Sequence, residues 1–176
     1  APLGAGPDLP GGGGRAVLSV YLICVGKLKE KFYRDACAEY QKRLGGYCKL
    51  TLIELPEERL PAAPSRAQID AALEKEAAAV RSKLPPGASV VALCIEGDLC
   101  SSEDLSALLA GWAQTGQKHL VFLIGGSYGL HPSLKALAWR RLSMSPMTFP
   151  HHLARVMLLE QIYRGFKIGE GSGYHK

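Results

Sequence analysis

The 176-residue sequence lacks the long apolar segments of a membrane protein. Its longest largely apolar run, Val17 to Val25, is too short to cross a bilayer as a helix. Mean hydropathy is close to zero, and 47% hydrophobic with 21% charged residues is the composition of an ordinary globular protein. We therefore expect one compact domain that has no partner in the membrane.

Cysteine and histidine patterns typical of disulfide scaffolds or metal sites are also missing. The five cysteines are odd in number and form no C-x-x-C pair, and the five histidines show no H-x-x-x-H spacing. These patterns favour buried free thiols in a reducing compartment, and no metal. We expect a cytoplasmic protein.

Common motifs for nucleotide binding and hydrolysis are absent. Neither G-x-G-x-x-G nor G-x-x-x-x-G-K-[ST] occurs, which argues against a nicotinamide or nucleoside triphosphate site. A hydrolase would need Ser127 or Ser145 as nucleophile and His151 or His152 as base, but no G-x-S-x-G elbow accompanies them. The two histidines are instead expected in the first turn of the last helix.

The beginning of the chain is rich in glycine and proline. Residues 1–15 hold six glycines and three prolines, and they lack the apolar core of a signal peptide. We expect a flexible leader over residues 1–15, outside the fold. Residues 16–176 are then a single domain.

Apolar runs alternate with amphipathic segments along the rest of the chain. Ser65, followed by Gln68, is a capping box that predicts the start of one helix, and Pro85-Pro86 predicts its end. The predicted strands are 17–25, 48–55, 89–95, 119–124 and about 141–144, and the predicted helices are 30–44, 65–84, 102–114, 132–139 and 150–168.

Strands that alternate with helices and are apolar throughout predict an α/β fold. We expect a mostly parallel sheet of about five to six strands, with helices on both faces. Ligands bind such sheets at the carboxyl ends of the strands. The turns after the third, fourth and fifth strands, at 96–97, 125–129 and 145–148, are therefore the candidate ligand loops. The Gly125-Gly126-x-x-Gly129 spacing is explained either by a tight turn with positive φ or by a close approach of the backbone to a ligand.

Positive charge is concentrated near the end of the chain. From Lys135 onward there are seven basic and two acidic residues, a balance of +5, and the rest of the chain is neutral. A solvated basic face is one explanation. The other is an anionic partner such as nucleic acid, because clustered Lys and Arg neutralise phosphates.

Five segments together carry a family resemblance. They are Val25-Gly26-Lys27-Leu28-Lys29, Leu123-Ile124-Gly125-Gly126-x-x-Gly129-Leu130, Leu142-Ser143-x-Ser145-x-Met147-Thr148-x-Pro150-His151, Leu159-Glu160-Gln161-x-Tyr163-Arg164 and Tyr174-His175-Lys176. In this order they closely resemble the ribosomal large-subunit pseudouridine N3-methyltransferases, the RlmH family. The resemblance covers Val17 to Lys176 and is specific because no single motif carries it.

The resemblance implies a SPOUT fold, in which an α/β sheet carries a C-terminal trefoil knot. It also implies a homodimer, which the apolar surface around the final helix favours independently. S-adenosylmethionine would bind in the knot, at the three turns already identified. The implied cofactor-binding residues are Leu93, Gly125, Gly126, Met144, Ser145, Pro146, Met147, Thr148 and Phe149.

The implied substrate is a pseudouridine in a hairpin loop of large-subunit (23S) rRNA, methylated at N3 on the assembled ribosome. N3 is an imide nitrogen that carries a proton at neutral pH, so a base or an oxyanion stabiliser must act. We expect His175 to accept the proton, Tyr174 to position the base and Arg164 to stabilise negative charge on a uracil oxygen. A non-catalytic RNA-binding module that uses the same basic face is the alternative.

Overall fold

The structure, a computed structural model, describes residues 18–175 as strands and helices that alternate strictly. They are β1 (Leu18–Val25), α1 (Lys31–Leu44), β2 (Cys48–Leu55), α2 (Arg66–Lys83), β3 (Ser89–Leu99), α3 (Ser102–Gln114), β4 (His119–Ile124), α4 (Pro132–Leu137), β5 (Arg140–Ser143) and α5 (His151–Gly169). The predicted leader at 1–15, Val17 and Lys176 lie outside the described residues.

The strands form one sheet in the order β2-β1-β4-β3-β5. Every neighbouring pair is parallel. The prediction of a parallel α/β sheet is therefore confirmed, and the described sheet has five strands rather than six. All carboxyl ends meet at the same edge, so the turns after β3, β4 and β5 are brought together.

Helices cover both faces of the sheet. The α1, α3 and α5 side packs against strand residues such as Val20, Leu22 and Phe122. The α2 and α4 side packs against the intervening residues, such as Ile23 and Leu123. Successive strand residues point to opposite faces, so a strand covered on both sides has to be apolar throughout.

Local caps fix where two helices begin. Ser65 caps α2: its hydroxyl accepts a hydrogen bond from Gln68 N, and the Gln68 side chain accepts one from Ser65 N. The predicted capping box is confirmed. Ser101 and Asp104 form a second capping box at the start of α3, directly after β3. Each such cap contributes roughly 1 kcal/mol to stability.

The predicted end of the third strand, at Ile95, is wrong. β3 continues to Leu99 because it leaves β5 after Leu93 and pairs with it again at Asp98. A bulge of this kind re-aims the side chains of the looped-out residues. A Cβ on Gly97 would lie 2.7 Å from the Leu142 carbonyl carbon, so only glycine lets the two strands approach again here.

Within residues 18–175, no helix is both long and apolar enough to cross a membrane, and no group of three or more His, Cys, Asp or Glu side chains is placed to hold a metal ion. All five cysteines are free thiols, and Cys24, Cys37 and Cys48 are buried. Burial raises the pKa of the Cys24 thiol to about 12.

Candidate active site

A large cavity lies at the carboxyl ends of β3, β4 and β5. Its volume is about 820 Å³. The bulge of β3 (93–96), the turn after β4 (124–130) and the segment from β5 into α5 form its walls. Lys135, which is paired with Glu96, stands at its rim. The volume is within the range of about 300–1,000 Å³ that is usual for small-molecule sites.

The residues predicted to bind a cofactor come together in this cavity. Leu93, Gly125, Gly126, Met144, Ser145, Met147, Thr148 and Phe149 all line it. Pro146 belongs to the same segment but does not contribute to the wall. Three turns that are far apart in sequence therefore form one pocket, as the carboxyl-end rule predicts.

The two glycines after β4 serve a close approach rather than a positive φ. A Cβ on Gly125 would lie 2.4 Å from the carbonyl carbon and oxygen of Gly129. Within the 125–129 turn, positive φ occurs at Gly129, at 78°, and not at Gly125 or Gly126. Gly129 N donates to Gly126 O at 3.0 Å and closes the turn. The tight turn with positive φ is therefore found, with its positive φ at Gly129, whereas Gly125 and Gly126 are needed because other protein atoms approach them closely.

The segment after β5 is shaped by serine hydroxyls. Ser143 Oγ donates to Ser145 O at 3.1 Å, and Ser145 Oγ accepts from Met147 N at 2.9 Å. Met147 is 74% exposed, although it carries a large apolar side chain. The backbone of this segment is thus folded against itself, and its apolar side chains remain free to contact a ligand.

Both histidines of the Pro-His segment lie in the first turn of α5, as predicted. Burial and the neighbouring His152 lower the pKa of His151 below its ordinary value, so its imidazole is neutral at pH 7. Among residues 18–175, neither the Ser127 nor the Ser145 hydroxyl is hydrogen-bonded to either histidine, so the arrangement of a serine hydrolase is not formed.

An ion pair formed by a buried arginine was not anticipated from the sequence. Arg155 of α5 is only 1% exposed and pairs with Glu54 at the end of β2. It also donates to Gly26 O at 2.9 Å, and Leu28 N donates to Glu54 at 3.0 Å. Burial alone would raise the pKa of Glu54, but the hydrogen bonds from Arg155 and Leu28 N hold it below its usual value.

Glu57, just after β2, is a second residue that the sequence interpretation missed. Its Oε1 accepts a hydrogen bond from Ser127 N at 2.9 Å, and its carboxylate lies against Gly126. From sequence alone, residues 56–64 were interpreted as a charged loop. The role of Glu57 was missed because its partner, Ser127, is distant in sequence. The carboxyl-end rule, applied to β2 as well, would have pointed to it.

The three residues predicted to be catalytic form their own cluster, outside the first cavity. Arg164 Nη1 lies 3.1 Å from His175 Nδ1, and the Arg164 guanidinium lies 4.8 Å from the centre of the Tyr174 ring. His175 Nε2 lies 2.7 Å from Glu103 Oε1 on α3. The tail is therefore fixed to α3 and α5.

A second cavity links this cluster to the first. It has a volume of about 550 Å³, lies between α1, α3 and α5, and shares Met144 with the first cavity. Glu160, which lines it, accepts a hydrogen bond from Arg164 Nε at 2.7 Å. Met144 thus lies at the boundary between the first cavity and the second.

Residues 18–175 match the family model described as predicted SPOUT methyltransferase. The chain is 48% identical over 159 residues to the ribosomal RNA large subunit methyltransferase H of Bifidobacterium animalis subsp. lactis, covering 90% of this chain and 100% of that protein.

A solved structure shares the fold. The crystal structure of a probable methyltransferase from Bordetella pertussis Tohama I superposes with a TM-score of 0.55. Sequence identity is 16%, and the match covers 86% of this chain and 98% of that one. At this level of identity the likeness concerns the fold alone.

Proposed function

Because the chain belongs to the RlmH family of SPOUT methyltransferases, we propose that it methylates N3 of a pseudouridine in a hairpin loop of large-subunit rRNA. The methyl donor is S-adenosylmethionine, and the substrate is the assembled ribosome. The meeting of the 125–129 turn and the 143–150 segment in one cavity carries this proposal.

The residues of the first cavity fit the proposed cofactor. Gly125 and Gly126 line the cavity with backbone alone, and backbone amides and carbonyls are suited to reading an adenine edge. Leu93, Met147 and Phe149 supply apolar walls. When bound, the cofactor supplies a methyl group on a sulfonium, and this chain orients it and excludes water.

The tail cluster supports a role for His175 in proton transfer. Arginine can only donate hydrogen bonds, so Arg164 opposite Nδ1 requires that nitrogen to be an acceptor. Nε2 then carries the proton and donates a hydrogen bond to Glu103 Oε1. In our proposal Arg164 turns from Nδ1 to a uracil oxygen, which frees Nδ1 to accept the N3 proton. Tyr174 holds the pseudouridine nucleobase in place.

The family also suggests how the chain is assembled. The proposal includes a C-terminal trefoil knot and a homodimer that works in the cytoplasm. Ile95, Leu99 and Met147 are each at least 64% exposed on the side of the molecule that carries the cavity. Exposed large apolar side chains of this kind support burial by a partner subunit.

Methyl transfer from radiolabelled S-adenosylmethionine tests the proposal directly. Whole ribosomes, separated subunits and free rRNA are offered in parallel, and the modified nucleotide is then mapped. We expect label at one pseudouridine of the large-subunit RNA in assembled ribosomes. Methylation of free rRNA but not of ribosomes would contradict the proposed substrate.

A calorimetric titration tests the competing assignment, a non-catalytic RNA-binding module. We expect the protein to bind S-adenosylmethionine and its demethylated product, S-adenosylhomocysteine. Binding of rRNA without binding of either cofactor form would favour the non-catalytic module.

A further inference from the structure

The loop after β2 reaches the candidate active site through the side chain of Glu57. Its Oε1 accepts the hydrogen bond from Ser127 N at 2.9 Å, and its Oε2 lies 3.9 Å from His151 Nε2. Ser127 and His151 both line the first cavity. One carboxylate therefore lies against both the turn after β4 and the first turn of α5.

The same carboxylate explains why residue 126 is a glycine. A Cβ on Gly126 would lie 2.8 Å from Glu57 Cδ and 2.9 Å from Glu57 Oε1. The φ of Gly126 is not in the positive region, so its backbone conformation does not itself require glycine. The side chain of Glu57 occupies the space that a side chain at 126 would need.

The loop that carries Glu57 is also held by a hydrogen bond to α2. Glu58 N donates to Glu76 Oε2 at 2.9 Å, and Glu76 lies on α2 with 8% of its surface exposed. Glu58 itself points its side chain to solvent. Glu57 is therefore held between a buried helix residue and the turn that it contacts, and it is not a mobile surface charge.

We propose that Glu57 is a positioning residue, which holds the Gly125-Gly126-Ser127 turn in the shape that binds the cofactor. This inference rests on the proposed function, because the turn lines the proposed cofactor cavity. The hydrogen bond that Glu57 accepts from Ser127 N is what holds the turn in place. His151 is too distant for a hydrogen bond, so the negative charge itself is secondary.

Two variants separate the hydrogen bond from the charge. E57A removes both, whereas E57Q keeps an oxygen that can accept from Ser127 N. E58A is the matched control, since it removes a carboxylate from the same loop without touching the turn. Binding of S-adenosylhomocysteine is measured by calorimetry, and hydrogen exchange of the 125–129 amides is measured without ligand. Thermal unfolding verifies that each variant folds.

We expect E57A to bind S-adenosylhomocysteine about tenfold more weakly, as for loss of one hydrogen bond to a charged group. Its 125–129 amides should exchange faster, and KM for S-adenosylmethionine should rise more than kcat falls. E57Q and E58A should stay within about threefold of the wild type, because neither removes the hydrogen bond to the turn. Unchanged exchange and affinity in E57A, or an E57Q variant as impaired as E57A, would overturn the proposal.

The glycine gives an independent test. In the wild type, G126A should weaken binding strongly because its Cβ meets the Glu57 carboxylate. In an E57A background that obstacle is gone, so the additional loss caused by G126A should be several-fold smaller. Equal losses in both backgrounds would count against the proposal. If the wild type bound no S-adenosylhomocysteine, the proposed function would fail, while hydrogen exchange would still report whether Glu57 holds the turn.

Discussion

At the scale of single residues, three glycines determine how closely the walls of the first cavity approach one another. Gly97 lies against the backbone of β5, Gly125 against Gly129, and Gly126 against Glu57. None of the three has a positive φ. Their role is therefore spatial, and it differs from that of a turn glycine, which alanine would strain through its backbone.

G125A should disrupt the site more than the fold. The obstacle is backbone, which cannot move aside as a side chain can, so we expect overpacking to cost about 1–3 kcal/mol of stability and to abolish measurable binding of S-adenosylhomocysteine. Calorimetry and urea unfolding check both effects.

G111A is the control, because Gly111 lies in the exposed face of α3, where a Cβ added to it would have no other atom within 4 Å. It should be neutral or more stable by up to about 1 kcal/mol, since alanine favours a helix over glycine. Normal cofactor binding by G125A would show that the Gly129 contact is not needed.

The Glu54–Arg155 pair should make stability depend on pH in acid. The pKa of Glu54 is lower in the folded state than in the unfolded state. The pair therefore stabilises the fold at pH values above the unfolded-state pKa, and this stability is lost as the pH falls through the folded-state pKa. We expect the wild type to lose stability below about pH 4.5, and E54Q to show a shallower slope. Urea unfolding between pH 3 and pH 7 measures this, by the linkage of charge to folding.

Removing the arginine should cost more than neutralising the acid. R155A leaves Gly26 O without its donor and leaves Glu54 with the hydrogen bond from Leu28 N alone, and breaking a fully buried pair costs about 3–5 kcal/mol. Because the Glu54 side chain is 35% exposed, solvent reduces that penalty, and we expect the lower end of the range. A loss below about 1 kcal/mol would mean that water replaces the arginine.

At the scale of elements, local signals were sufficient for most helices and strands. The Ser65 box, the apolar strands and the Pro-His start of α5 are encoded by neighbouring residues, and each of them begins within one residue of its predicted start. Contacts between distant segments were not predictable in this way. The return of β3 to β5 at Asp98 and the reach of Glu57 to Ser127 both depend on which elements the sheet brings together.

The C-terminal tail is the element on which catalysis is expected to depend. H175A should reduce single-turnover methyl transfer by about 10²–10⁴-fold, the range for loss of a general base. Affinity for S-adenosylhomocysteine should not change, because His175 lies outside the first cavity. E103A, which removes only the partner of Nε2, should have a smaller effect. Normal turnover by H175A with an unchanged pH profile would rule out the base assignment.

At the scale of the whole molecule, pairing reduces the free positive charge that the sequence suggests. Four of the basic residues from 135 onward are engaged by carboxylates: Lys135, Arg155, Arg164 and Lys167. Arg140 and Arg141 are exposed on β5 and have no acidic partner among residues 18–175. Among the described residues from 135 onward, the basic side chains without a carboxylate partner are thus Arg140 and Arg141 at the edge of the sheet, and we expect any phosphate contact of this region there.

Salt dependence tests this site. Each arginine that contacts a phosphate steepens the rise of log Kd with log salt by about one, so R140Q and R141Q should each reduce the slope for ribosome binding by about that amount. K49Q is the control, because Lys49 is exposed at the opposite end of the sheet. Unchanged slopes in both arginine variants would place the RNA elsewhere.

The strand order also sets the moment at which this chain can fold. β1 and β4 lie side by side at the centre of the sheet, with Ser19 aligned to His119. Pairing of strands so distant in sequence is slow, and during synthesis β1 can pair with β2 but its other edge remains unpaired until β4 has been made. The emergence of Ile124 from the ribosome is therefore the earliest point at which β1 can gain its second neighbouring strand, and the core on the α5 face of the sheet is completed only after α5 has also been made.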